Sequence, residues 1–164
     1  MYLYPDDGQN PGSRTIKAKT TDYAITFSGA SYIELKNINF FATTINVQNS
    51  TYLKITECNF YYPSVSRRML GSTELGSPNV TSFDSNSSNN IISKCLFENT
   101  EGEALRIFGN DNTIQNNYFH HIDWSASDLQ GLMVTIYISG NSNTFTENTI
   151  PVSYTHLTLP TRSY

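Results

Sequence analysis

Short segments with apolar residues at every second position recur along this chain, each about five residues long: "AITFS" at 24–28, "TINVQ" at 44–48, "ALRIF" at 104–108 and "TIYIS" at 135–139. Period-two alternation is the mark of a strand with one buried face. A turn rich in Gly, Asn, Ser or Asp follows each segment, and then a second short run: "YIELK", "YLKIT", "NTIQN" or "NTFTE". A further bend leads to one more apolar position, Phe40, Phe60, Phe97, Phe119 or Ile150. Helix is a poor description of stretches such as "GNDNTIQNNYF" (109–119), because Asn and Thr side chains compete with helical backbone bonding. The pattern predicts three very short strands per unit, separated by bends.

The units repeat. Residues 105–119 and 136–150 align without a gap at an offset of 31, through Leu105/Ile136, Ile107/Ile138, Gly109/Gly140, Asn112/Asn143, Ile114/Phe145 and Asn117/Asn148. Residues 24–41 and 44–61 align at an offset of 20, through Ile25/Ile45, Phe27/Val47, Tyr32/Tyr52, Leu35/Ile55, Asn39/Asn59 and Phe40/Phe60. A fifth copy, "NNIISKCLFEN" at 89–99, matches 111–121 at an offset of 22, pairing Ile92 with Ile114 and Phe97 with Phe119. A unit of this size cannot bury a core alone, but stacked units share one. Stacking sets equivalent residues about 4.8 Å apart, so that Asn forms ladders in the bends while aliphatic and aromatic residues pile up inside. The asparagines are then structural. Cys58 and Cys95 fall in the ladder slot of Asn117 and Asn148, and read as small buried thiols, since parallel Cβ vectors one coil apart do not aim at each other.

This repeat resembles the right-handed parallel β-helix family, which includes pectate-lyase-like enzymes and many other polysaccharide-active proteins. The resemblance covers roughly residues 20–150 and implies an all-β solenoid of about five coils with almost no α-helix. For activity it implies only a class of candidates, because one fold hosts many functions.

Both ends depart from the repeat. Residues 1–19 read as a lead-in hairpin, "MYLYPDDG" being similar to the "LYLYP"-like start of related β-helix proteins, so Met1 is expected to be internal to a longer chain. Residues 151–164 carry no Asn or Gly, and "PVSYTHLTLPT" resembles the conceptual translation of a transposase-type sequencing adapter. The expectation is one β-helix domain over 20–150, truncated, with a non-native tail. Charged residues make up only 15% of the 164 and the net charge is −4, which argues against a nucleic-acid partner. No apolar run approaches membrane-spanning length. Abundant Asn, Ser and Thr with 13% aromatics suit a secreted or cell-surface protein that contacts polysaccharide, as a monomer.

Candidate chemistry is placed by loop length and parity. The coil step is 37 between Cys58 and Cys95 and 31 between the last two copies, and both excesses fall after the third apolar position, at 61–80 and 120–134. Long loops on a rigid scaffold are where sites concentrate. They leave one corner and return to the first strand, whose outward columns are Thr26, Asn46, Ser82, Arg106, Tyr137 and Ser28, Gln48, Asp84, Phe108, Ser139; Phe83 is the least certain inward match. Asn46, Gln48, Asp84 and Tyr137 on the sheet, with Arg67, Arg68 and Trp124 on the loops, make a sugar-binding groove.

Arg106, His120, His121 and Asp123 are the catalytic candidates. β-Elimination on a uronate polymer needs a cation on the carboxylate, from Arg106 with Arg67 or Arg68, and a base, from His120, His121 or Tyr137. Hydrolysis needs two carboxylates, for which Asp84 and Asp123 are available. A non-catalytic glycan-binding shaft needs neither. The plain alternatives are a solvated or Asp-paired Arg106, solvated Arg67 and Arg68, a histidine packed at the corner and a Trp124 that pins its loop. No metal motif is present; Glu101 or Glu103 in "NTEGEAL" could take a cation, and calcium is the one cofactor considered.

Overall fold

The computed structural model describes residues 12, 21–64, 80–101, 103–122 and 136–151. Within them the chain winds through five coils of short strands. The first coil holds β1 (Tyr23–Ser28), β2 (Glu34–Lys36) and β3 (Asn39–Phe41), and the second β4 (Thr44–Gln48), β5 (Lys54–Thr56) and β6 (Asn59–Tyr61). The third holds β7 (Thr81–Phe83), β8 (Ile91–Ser93) and β9 (Leu96–Glu98), and the fourth β10 (Leu105–Ile107), β11 (Thr113–Gln115) and β12 (Tyr118–His120). The fifth contributes β13 (Ile136–Ile138) and β14 (Thr144–Thr146).

Each strand pairs with its equivalent one coil away, in parallel. Sheet 1 runs β1-β4-β7-β10-β13, sheet 2 runs β2-β5-β8-β11-β14 and sheet 3 runs β3-β6-β9-β12. Register follows the repeat: Ile25 faces Ile45, Leu35 faces Ile55, Phe97 faces Phe119 and Leu105 faces Ile136. Phe83 takes the inward position between Val47 and Ile107, as expected. Among the described residues there is no helix long and apolar enough to cross a membrane.

The bends are built from left-handed residues. They fall at Tyr32, Tyr52, Asn89, Asp111 and Ser142 in the first bend, joined there by Gly29, Asn49 and Gly140, at Asn37, Glu57, Lys94, Asn116 and Glu147 in the second, and at Ala42, Tyr62, Asn99 and His121 in the third. That conformation costs an L-residue about 1–2 kcal/mol, least for Asn and Asp. It is retained because the ladder continues through the corner. Asn37 N–H donates to Thr56 O at 3.2 Å, Ala42 to Tyr61 O at 2.9 Å, and Asn99 to His120 O at 3.1 Å. Buried backbone polar groups are thereby paired at the turns as well as in the strands.

Inside, Phe40, Phe60, Phe97 and Phe119 form one buried column, with ring centroids 4.8, 4.7 and 5.1 Å apart and planes within 10° of parallel. Asn ladders close two bends. Asn112 Oδ1 accepts from Asn90 N at 3.0 Å and from Asn90 Nδ2 at 3.1 Å, and Asn148 Oδ1 accepts from Asn117 N and Nδ2, both at 2.9 Å. Cys58 and Cys95 are free, buried thiols in the second ladder. Each donates to the second-strand carbonyl one coil below, Leu35 O at 3.7 Å and Ile55 O at 3.5 Å, where Asn117 and Asn148 donate to Ile92 O and Ile114 O.

Ile138, Phe145 and Ile150 occupy inward repeat positions, yet they are exposed. No described residue stacks beyond the fifth coil to cover them.

Candidate functional site

Parity places the outward column of sheet 1 where the sequence predicts it. Thr26 pairs with Asn46, Asn46 with Ser82, Ser82 with Arg106 and Arg106 with Tyr137, one residue per coil. Asn46 Oδ1 accepts from Ser82 Oγ at 3.4 Å. Beside this column lie exposed Gln48 and exposed Phe108, whose ring meets that of Tyr137 at a centroid distance of 5.6 Å. Tyr137 is 43% exposed, so aromatic surface is offered to solvent at this end of the sheet.

Arg106 is paired. Its Nε donates to Glu103 Oε2 at 2.7 Å and its Nη2 meets the same oxygen, with both side chains only about one-fifth exposed. Arg106 thus has a fixed plane and a neutralised charge; Glu103 occupies the Nε–Nη2 edge and leaves the Nη1 end of the fork for a further acceptor. Asp84 is also engaged. Its carboxylate accepts from Asn49 N at 3.0 and 3.1 Å, from Asn86 N at 3.2 Å and from Ser87 Oγ at 2.6 Å, tying the left-handed Asn49 to the next coil. Glu101 is buried in the third corner, where its N–H donates to Ser64 Oγ at 3.0 Å.

His120 and His121 belong to a different face. His120 ends β12 on sheet 3, directly above Glu98 of β9, and its Nδ1 lies 3.0 Å from Glu98 Oε1. His121 occupies the left-handed corner position, and its Nδ1 lies 3.2 Å from Asn99 Oδ1. The two imidazoles stack at 3.7 Å. Sequence reasoning named the histidines but missed Glu98 and Asn99. The signal was present, since the offset of 22 that aligns Phe97 with Phe119 also aligns Glu98 with His120 and Asn99 with His121. Glu103 reads in the sequence as a residue of a short turn that could take a cation, and its role as the Arg106 partner was missed. Arg67, Arg68, Asp123 and Trp124 lie outside the described residues.

The thiols differ from the polar sites in being sealed. Burial pushes Cys95 up from 9.0 to about 12, and burial also raises Cys58. Neither is a nucleophile near neutral pH.

These three parallel sheets with a stacked interior define a β-solenoid, and comparison with known proteins agrees. A family profile described as "right handed beta helix region" matches residues 13–155. The chain belongs to the right-handed β-helix family. No curated protein and no solved structure matches it.

Proposed function

We propose that this chain is the glycan-binding β-helix of a secreted or cell-surface, polysaccharide-active protein, monomeric in its working form. The observation that carries the reading is the outward column Asn46–Ser82–Arg106–Tyr137 with Gln48 and Phe108 beside it. A polymer lying along the helix axis meets one amide, hydroxyl, guanidinium or aromatic group per coil, at a repeat of about 4.8 Å. Aromatic rings cover apolar sugar faces while amides and hydroxyls take the ring hydroxyls. Arg106, held in plane by Glu103, supplies a directional contact to a uronate carboxylate through Nη1, which favours an acidic polymer.

Binding is a better match to these side chains than bond cleavage. The Glu103 carboxylate already balances the Arg106 charge, which weakens its power to acidify a sugar C–H. Asp84 is held by three donors in a bend, a poor starting point for a hydrolytic acid or nucleophile. The test is a titration of the chain with a polyuronate and with a neutral glucan, followed by Tyr137→Ala, Asn46→Ala and Arg106→Ala. Tyr137→Ala and Asn46→Ala should weaken both polymers, and Arg106→Ala the polyuronate selectively. Arg106-dependent release of unsaturated uronate ends would move the reading to a lyase. Unchanged affinity in all three variants would remove sheet 1 as the binding face.

A further inference from the structure

The corner between sheet 3 and the return to sheet 1 gathers two imidazoles, a carboxylate and an amide oxygen. We propose that Glu98, His120 and His121 form a divalent transition-metal site, selecting zinc- or nickel-like ions over calcium and magnesium. The proposal stands apart from the glycan reading and uses none of its residues.

Geometry brings the donors together for a reason that begins in the fold. Parallel register sets His120 over Glu98, and the same one-coil step sets His121 over Asn99. The left-handed backbone at His121, with φ of 50°, breaks the alternation that would send consecutive side chains to opposite faces. Both rings therefore stand on one side, stacked at 3.7 Å with a 27° angle between planes. Donor atoms of Glu98, His120 and His121 all lie within 4.8 Å of one another. The Glu98 Oε1 to His120 Nδ1 separation of 3.0 Å lies between the ligand–ligand edges of six-coordination, about 2.9 Å, and four-coordination, about 3.3 Å, around an ion bound at about 2.0–2.1 Å. Asn99 Oδ1, 3.2 Å from His121 Nδ1, adds a neutral oxygen to the same cluster.

Chemistry selects the ion class. Two imidazoles and one carboxylate suit zinc, nickel, copper or iron, whereas calcium and magnesium require oxygen-only shells. A metal bound through Nδ1 takes the place of the hydrogen there, and each neutral imidazole then carries its single proton on Nε2, transferred through solvent. His120 is 33% and Glu98 27% exposed, so the donor atoms are open to an entering ion.

The full chain, stripped with a chelator, is titrated calorimetrically with zinc and nickel and, separately, with calcium and magnesium. Cobalt substitution then supplies a visible spectrum. Saturable one-to-one binding of zinc or nickel is expected, without calcium or magnesium binding at this site. His120→Ala, His121→Ala and Glu98→Gln should each weaken it by about tenfold or more, with native circular dichroism, and Asn99→Ala by about tenfold. Glu98→Gln preserves side-chain shape and keeps the test valid should a histidine variant unfold. His156, outside the described residues, is the remaining histidine, and His156→Ala should leave affinity unchanged. Absence of saturable binding, equal affinity in the His120→Ala/His121→Ala double variant, or loss in His156→Ala alone overturns the proposal.

Discussion

At the scale of single residues, one ladder slot holds two chemistries. Cys58, Cys95, Asn117 and Asn148 all donate to the second-strand carbonyl one coil below, at 3.7, 3.5, 3.0 and 2.8 Å respectively. The thiol is the weaker donor, and it is also a weaker acceptor than the amide oxygen of Asn117, which takes the coil-to-coil bond from Cys95 N at 2.9 Å. Cys95→Asn should therefore extend the ladder and raise unfolding free energy by about 1 kcal/mol, while Asn117→Ala should lower it by about 2–4 kcal/mol by orphaning buried groups. Denaturant titration reads both, and a Cys95→Asn protein less stable than Cys95→Ala would contradict the slot equivalence. The thiol also sets a pH dependence. Burial raises Cys95 from 9.0 to about 12, so above about pH 9 the unfolded chain loses a proton that the folded chain keeps. Stability from this group is complete below about pH 9 and declines as pH rises toward about 12; Cys95→Ala should flatten that decline.

At the scale of strands and bends, the fold was legible because the repeat encodes register directly. Matching Phe40 to Phe60 and Phe97 to Phe119 in sequence gives the buried column, and matching Ile107 to Ile138 gives the sheet pairing. Phe97→Ala, in the middle of that column and fully buried, should cost about 3–5 kcal/mol. Gly109 has a less obvious reason to recur. A Cβ there would lie 1.8 Å from Ser87 O, so Gly109→Ala must push two coils apart and should destabilise far more than an exposed substitution. The left-handed corners were not legible, because Tyr, Lys, Glu and Ala hold them as well as Asn. Their conformation comes from the ladder bonds around them, which no local propensity encodes. Exposed Asn116, with φ of 56°, isolates the backbone cost: Asn116→Gly should be near neutral and Asn116→Val should lose about 1–2 kcal/mol. Equal stabilities in those two variants would show that the corner relaxes freely.

At the scale of the whole molecule, the candidate sites were legible only as far as parity reaches. Asn46, Arg106 and Tyr137 fall in one column because every coil has the same phase, but the Arg106–Glu103 pair is a local contact that a repeat offset cannot reveal. Sheet membership separates Arg106 on β10 from His120 on β12, which alternation alone left undivided. A stack of coils also implies an uneven distribution of stability, since each coil contacts only its neighbours. The third coil is sandwiched: Ile92 and Phe97 are buried, and β8 and β9 each have a partner strand on both sides. In the fifth coil, Ile138 is 37% and Phe145 42% exposed, and β13 and β14 each pair on one side among the described residues. Amide hydrogen exchange should therefore be slowest around Ile92 and Phe97 and faster at Ile138 and Phe145, with opening free energies graded along the axis. Phe97→Ala should speed exchange in the third and neighbouring coils, whereas Phe145→Ala should leave the second coil unaffected. A single exchange rate across all five coils would instead mean that the stack opens only as one cooperative unit.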